Sequence, residues 1–210
     1  LKMTNKKFHD LFKSQPRKSE SAITQKEMDI AASIQNVIEE IIVKIGRNIF
    51  QTTGEKNLCL AGGVALNCVA NGVLLKEKIF NKIWIQPASG DAGGSLGAAL
   101  SIWHIMLNKK RNKNLIIDHM KGSYLGPSYS NTEIEQFLSN SGAVYKKLNE
   151  KELIDTVAKI LSEKKAVGWM QGRMEFGPRS LGNRSILADP RAPFMQKQLN
   201  LKVKFRESFR

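Results

Sequence analysis

The stretch Leu58-Cys59-Leu60-Ala61-Gly62-Gly63-Val64-Ala65-Leu66-Asn67-Cys68 decides how this chain is read. Four consecutive apolar residues closed by a glycine pair describe a short strand covered on both faces. Gly62-Gly63 is then a turn, and Leu66, Val69, Ala70, Val73 and Leu74 follow at helical spacing. The order repeats once. Ile83-Trp84-Ile85 closes at Pro87 and runs into Ser89-Gly90-Asp91-Ala92-Gly93-Gly94, after which residues 96–107 read as a helix with Gly94, Gly97, Ala98 and Ser101 on one side. A strand-helix-strand-helix order implies parallel strands, and parallel strands place both glycine loops at one carboxyl edge, where open α/β sheets hold ligands.

Outward from this centre, Thr24-Gln25-Lys26-Glu27 fits a capping box. Ala31, Ile34, Ile38, Ile41, Ile45 and Ile49 then continue a long amphipathic helix to Thr53-Gly54. On the other side, residues 108–114 carry Lys109, Lys110, Arg111 and Lys113 with no apolar residue and read as an exposed linker near a domain boundary. A second α/β pattern follows. It has a capping box at Thr132 and Glu135, a helix ending at Gly142, a strand over 143–148, a helix over 150–164 with Leu153, Val157, Ile160 and Leu161 inward, and a strand over 166–170. The fold class is α/β, divided into 1–118 and 119–210.

The chain has 210 residues, 41% of them apolar and 25% charged, as expected of a globular protein able to bury a core. No apolar run approaches the roughly 20 residues that span a bilayer, and the start has no apolar signal segment. A cytoplasmic protein that does not enter membranes is expected. Cys59 and Cys68 lack metal-knuckle spacing and are read as reduced, buried packing residues. The beginning at Leu1 and the end at Phe209-Arg210 read as those of an internal piece.

Net charge is +14, and its placement is informative. Residues 122–171 are balanced, with six bases and six acids, whereas residues 172–210 hold nine bases and three acids. Arg173, Arg179 and Arg184 are interleaved there with Gly177, Pro178 and Gly182, so that planar guanidinium groups stand on backbone that can approach a ligand closely. Such groups suit phosphate or carbamoyl oxygens. The plainer reading pairs them with Glu175, Asp189 and Glu207, but three acids cannot satisfy nine bases. At the glycine loops, Gly62, Gly63, Asn67, Gly90 and Gly93 are candidates for contacts to a nucleotide or phosphate, and Asp91 is a candidate metal ligand. Equally, these glycines are turns and Asp91 a helix cap.

The segments 58–68, 87–99 (Pro87-Ala88-Ser89-Gly90-Asp91-Ala92-Gly93-Gly94-Ser95-Leu96-Gly97-Ala98-Ala99) and 172–191, in this order, resemble the ATP-dependent O-carbamoyltransferases that modify nodulation factors and antibiotics. The resemblance implies the C-terminal part of a domain of the sugar kinase, actin and heat-shock ATPase superfold, followed by an incomplete domain similar to the YrdC carbamoyl-adenylating module. It implies ATP and carbamoyl phosphate as substrates, a carbamoyl adenylate intermediate, and transfer to a hydroxyl-bearing small-molecule acceptor. It further implies a divalent or iron-type metal ion, held by Asp91 together with two histidines at H-x-x-x-H spacing and other aspartates. Arg173, Arg179 and Arg184 correspond to phosphate or carbamoyl binders; Lys204 and Arg206 are carried over with them. Here the sequence departs from the pattern. His9, His104 and His119 lack that spacing, so the remaining ligands are expected upstream of Leu1 and the piece alone is expected to be inactive.

Three other readings compete. A tRNA threonylcarbamoyladenosine-type enzyme shares the superfold, but the run 172–191 resembles the O-carbamoyltransferases specifically. A basic nucleic-acid-binding module is disfavoured because Phe176, Phe194, Phe205 and Phe209 are too irregularly spaced to stack bases. A structural scaffold leaves the arginine surplus without a ligand. Acceptor, metal identity and oligomeric state are not legible from these residues.

Overall fold

A computed structural model describes residues 4–111 and 118–210. It is a mixed α/β structure with two small sheets. The chain forms two compact units, one comprising the chain up to Val37 together with Pro190–Arg210, the other Ile38–Asp189. The division at residue 118 adjoins residues 112–117, which lie outside the described ones and include Asn112, Lys113 and Asn114 of the expected linker.

In the unit Ile38–Asp189, strands β1 (Asn57–Leu60) and β2 (Lys82–Ile85) pair in parallel, with Leu58 opposite Ile83 and Leu60 opposite Ile85, as the repeated order requires. Helix α3 (Cys68–Lys76) follows β1 after a tight turn of helix at Gly63–Leu66, and α4 (Ala92–Ser101) follows β2. The long helix α2 (Gln25–Thr53) starts where the capping pair predicts. The Thr24 amide and hydroxyl both donate to Glu27 Oε2, at 2.8 and 2.6 Å. Its buried face differs from the isoleucine stripe. Val43 packs with Leu58, Leu74 and Phe80, joined by Ile42 and Ile49, while Ile41 and Ile45 remain exposed. Gly46 explains the choice of face. A Cβ there would stand 2.8 Å from Leu74 Cδ1, so glycine lets α3 approach the helix on that side.

Further along this unit, α5 (Asn131–Asn140) and α6 (Glu150–Ser162) precede β3 (Val167–Met170), which pairs antiparallel with β4 (Arg184–Leu187). Three expectations are corrected. The capping box of α5 is Ser130 with Glu133, two residues earlier than predicted, because the Glu133 carboxylate accepts the Ser130 amide at 2.7 Å and Ser130 Oγ accepts the Glu133 amide. Residues 143–148 form no strand and Val144 is fully exposed, since no described strand lies alongside to supply hydrogen bonds. Cys59 and Cys68 are exposed thiols, because β1 turns Leu58 rather than Cys59 into the core and Cys68 opens α3 on its outer side. Strand β4 was hidden in the sequence inside the arginine-rich run.

The other unit contains α1 (Lys6–Leu11) and α7 (Met195–Gln198), which runs into a wide helical turn at Leu199–Val203. Its ends are tied together by carboxylates. Glu207 pairs with Arg17 and accepts the Glu20 amide at 2.9 Å, and Glu20 accepts the amide and hydroxyl of Ser208 at 2.9 and 2.8 Å. These donors hold both carboxyls below the usual range, the Glu20 amide acting most on Glu207 and the Ser208 amide most on Glu20. Among the described residues, no helix is long and apolar enough to cross a membrane.

Candidate functional site

Parallel pairing brings the two glycine loops together. The Gly62 amide donates to the Ser89 carbonyl at 2.7 Å, and Gln86 N donates to Leu60 O at 3.0 Å just before the loops diverge. Gly62 has φ +98°, a conformation that favours glycine. Gly93 is required for a different reason: a Cβ would lie 2.0 Å from the Ala88 carbonyl oxygen. That contact folds the Ser89–Gly94 loop back on itself, with Gly93 N donating to Gly90 O at 3.1 Å. Asn67 is the cap of α3, its Oδ1 accepting the Ala70 amide at 3.1 Å. Ser89 is 5% exposed, and its buried hydroxyl has no hydrogen-bond partner among the described residues.

Asp91 opens α4 without making a side-chain cap. Its carboxylate is exposed beside the glycine loop, so the helix-cap reading of this residue is not realised. Gly63, which begins the turn of helix, has open space where a Cβ would be. The described residues include no group of three or more His, Cys, Asp or Glu side chains able to hold a metal ion. His104 Nδ1 donates to the Lys109 carbonyl at 2.7 Å and His9 pairs with Thr4 at 2.8 Å. One carboxylate does not fit a metal by itself, and no step below passes through one.

The β3–β4 loop holds the arginines, and Glu175 is its centre. Glu175 is 3% exposed. Its Oε1 accepts the amides of Leu181 and Asn183 at 2.8 Å each and that of Arg184 at 3.3 Å. Its Oε2 lies 3.2 Å from Arg184 Nε as an ion pair without a directed hydrogen bond. Burial pushes the carboxyl up, but the amides of Leu181, Asn183 and Arg184 outweigh it and hold the pKa at about 2. The loop is also bound from outside. Met174 exchanges hydrogen bonds with Gly126 and Pro127, and Phe176 N donates to the buried Ser123 carbonyl at 2.6 Å.

The three arginines are therefore not equivalent. Arg184 donates through Nη2 to the Gly177 carbonyl at 2.6 Å in addition to its pairing with Glu175. Arg173 donates to the Gly126 carbonyl at 2.6 Å. Arg179, at the outer part of the loop, is exposed and has no hydrogen-bond or ion-pair partner among the described residues. Gly177, with φ +140°, lies against the first loop: a Cβ there would stand 3.0 Å from the Pro87 carbonyl oxygen. Both candidate regions thus meet within one compact unit. Lys204 and Arg206 belong to the other unit, where Arg206 Nε donates to the buried Asn200 Oδ1 at 2.7 Å and Lys204 is exposed.

Sequence reasoning missed Glu175 as an organising group and Ser89 as a buried unpartnered hydroxyl. The available signal for Glu175 was a lone acid between Arg173 and Arg179 among glycines, where a carboxylate can gather several backbone amides. Nothing in the sequence marked Ser89.

Comparison with known proteins adds an independent result. Residues 1–100 match the family model of the carbamoyltransferase N-terminus, and residues 158–210 match that of the carbamoyltransferase C-terminus. An uncharacterized protein of Synechocystis is 57% identical over the whole chain, which covers 34% of that relative. The nodulation protein NolO of Bradyrhizobium diazoefficiens is 38% identical over 93% of the chain and 35% of its own length. The nodulation protein NolNO of Sinorhizobium fredii is 40% identical over 92% of the chain and 28% of its own length. The chain thus spans about a third of the length of these relatives. The two loop sets that meet at Gly177 and Pro87 lie one in each matched segment, and the chain belongs to the carbamoyltransferase family.

Proposed function

We propose that this chain contributes to an ATP-dependent O-carbamoyltransferase, in which water releases inorganic phosphate from carbamoyl phosphate, the resulting carbamate displaces pyrophosphate from the α-phosphate of ATP to give carbamoyl adenylate, and the hydroxyl of a small-molecule acceptor then takes the carbamoyl group as AMP leaves. In this reading the β1-α3-β2-α4 part is a piece of a domain of the sugar kinase and actin type, and the part around β3 and β4 is the beginning of a YrdC-like domain. The working setting is the cytoplasm. The observation that carries the proposal is Arg179: an uncommitted guanidinium on a loop fixed by a buried carboxylate, beside glycine turns at the carboxyl edge of a parallel strand pair. A free guanidinium there grips the dianionic end of carbamoyl phosphate and offsets charge that builds as the carbamoyl carbon is transferred.

The glycine loops supply the complementary half. Backbone amides at Gly63 and Gly90 suit nucleotide phosphates or ribose hydroxyls, and Asn67 caps the first turn of α3 beside them. An apolar hollow of about 150 Å³ lined by Ile45, Leu60, Ala61, Val64 and Asn71 adjoins the first turn, and the buried Asn71 Oδ1 has no partner among the described residues. A nucleobase with an exocyclic amino group matches that surface. Asp91 would supply one ligand to a divalent or iron-type metal only if the other ligands came from outside the described residues.

The test uses a protein of the relatives' full length that carries these residues, with AMP and pyrophosphate release followed separately. Arg179→Ala is expected to abolish adenylate formation, measured as carbamoyl-phosphate-dependent pyrophosphate release. Wild-type rates in Arg179→Ala would reject the assignment of Arg179, and pyrophosphate release independent of carbamoyl phosphate would reject the adenylate route.

A further inference from the structure

We infer that Glu175 is a positioning residue for the carbamoyl donor: its buried carboxylate gathers the backbone of residues 181–184 and the Arg184 side chain into one rigid loop, so that Arg179 alone is left to meet the anion. The inference rests on the proposed donor site and goes beyond it by dividing the arginines into a framework and a contact.

Glu175 Oε1 receives three amides, Leu181, Asn183 and Arg184, which are spread over four consecutive residues at the far end of the loop. A neutral turn would leave those amides to water. Arg184 is held twice, by Glu175 Oε2 at 3.2 Å and by the Gly177 carbonyl at 2.6 Å, so it clips the two limbs of the loop together. Asn183 adds a third tie, its Nδ2 donating to the Arg173 carbonyl at 2.8 Å. Between these ties lie Gly177, Pro178, Arg179 and Ser180, and the Pro178 ring fixes φ just before Arg179. Gly177 rests on Pro87, so this stretch is anchored to the nucleotide-side loop as well.

Two alternatives make different predictions. If Glu175 were only a charge partner for the arginine surplus, it would pair with exposed guanidinium groups; it instead accepts mainly from backbone. If all three arginines bound the donor equally, removal of any one would weaken binding alike. Arg173 and Arg184 are each tied to a carbonyl oxygen of the framework, so their loss is expected to disturb loop geometry, whereas loss of Arg179 acts on the ligand directly.

The test is calorimetric titration of a protein of the relatives' full length that carries these residues, with carbamoyl phosphate and in parallel with inorganic phosphate, for wild type, Glu175→Gln, Arg179→Ala and the double variant. Glu175→Gln keeps the shape and one acceptor oxygen but removes the charge, and far-UV circular dichroism confirms that each variant is folded. Glu175→Gln and Arg179→Ala are each expected to raise the Kd for carbamoyl phosphate by about tenfold or more. The double variant is expected to be no weaker than Arg179→Ala alone, since Glu175 acts through the guanidinium that is already gone. Restoring the charge at shorter reach with Glu175→Asp is expected to recover part of the affinity. Full multiplicative weakening in the double variant, or unchanged affinity in Glu175→Gln, would overturn the positioning role while leaving the donor site standing. A wild-type chain that binds neither anion would instead remove the donor site, and the inference with it.

Discussion

The glycine loops around Gly62, Ser89 and Gly93 and the arginine loop between β3 and β4 both leave donors free for a ligand, but they are held in shape by different means. The first is held by backbone close approach: Gly93 fits under the Ala88 carbonyl and the Gly62 amide bonds to Ser89, with no carboxylate among those bonds. The second is held by one buried side chain, Glu175, on which three amides and a guanidinium converge. A loop set by backbone packing is sensitive to side-chain volume and indifferent to charge. A loop set by a carboxylate is sensitive to protonation and to the identity of a single residue.

Volume changes should separate the regions first. Gly93→Ala, forced to place a Cβ on the Ala88 carbonyl, is expected to destabilise the unit by about 3 kcal/mol, read as a lowered urea midpoint at unchanged slope. Gly177→Ala meets Pro87 less closely but must adopt φ +140°, and about 2 kcal/mol of lost stability is expected from the strained backbone. It touches both regions, so it should also weaken carbamoyl phosphate binding, which Gly46→Ala in the α2–α3 contact should not. Asn67→Ala removes the cap of α3 and is expected to cost about 1 kcal/mol, visible in the same denaturation curves. Should Gly93→Ala prove harmless, the backbone account of the first region is wrong.

The two regions also differed in how far they could be read beforehand. Strands β1 and β2, their parallel pairing and the turn at Gly62-Gly63 followed from period and punctuation, because short apolar runs closed by glycine leave few alternatives. The arginine loop could be singled out by its surplus of bases among glycines, yet its inner logic could not. Arg173 and Arg184 look like Arg179 in the sequence, and only folding brings Gly126 and Gly177 carbonyls within their reach. Strand β4 was missed because Arg184-Ser185-Ile186-Leu187 lies inside a motif dominated by glycine and arginine, where pairing with β3 overrides local preference. The strand expected at 143–148 failed for the converse reason: its residues favour extended structure, but pairing needs a neighbour. Side-chain burial was the least legible. The α2 stripe and Cys59 depended on which face meets α3 and the core, a choice made by Gly46 and Leu58.

Protonation separates the regions most directly. The folded-state pKa of Glu175, about 2, lies below its ordinary value of 4.5, so its contribution is complete above about pH 4.5 and is withdrawn as pH falls towards 2. The decisive measurement is therefore the pH dependence of the backbone amide resonances of Leu181, Asn183 and Arg184, followed by nitrogen–proton correlation spectroscopy from pH 6 downward, alongside that of Gly62. The three loop amides are expected to move together with a midpoint near pH 2, while Gly62, bonded to the Ser89 carbonyl, holds its position through that step. Loop amides that titrate separately, or with an ordinary carboxyl midpoint near 4.5, would contradict the claim that one buried carboxylate holds the arginine loop.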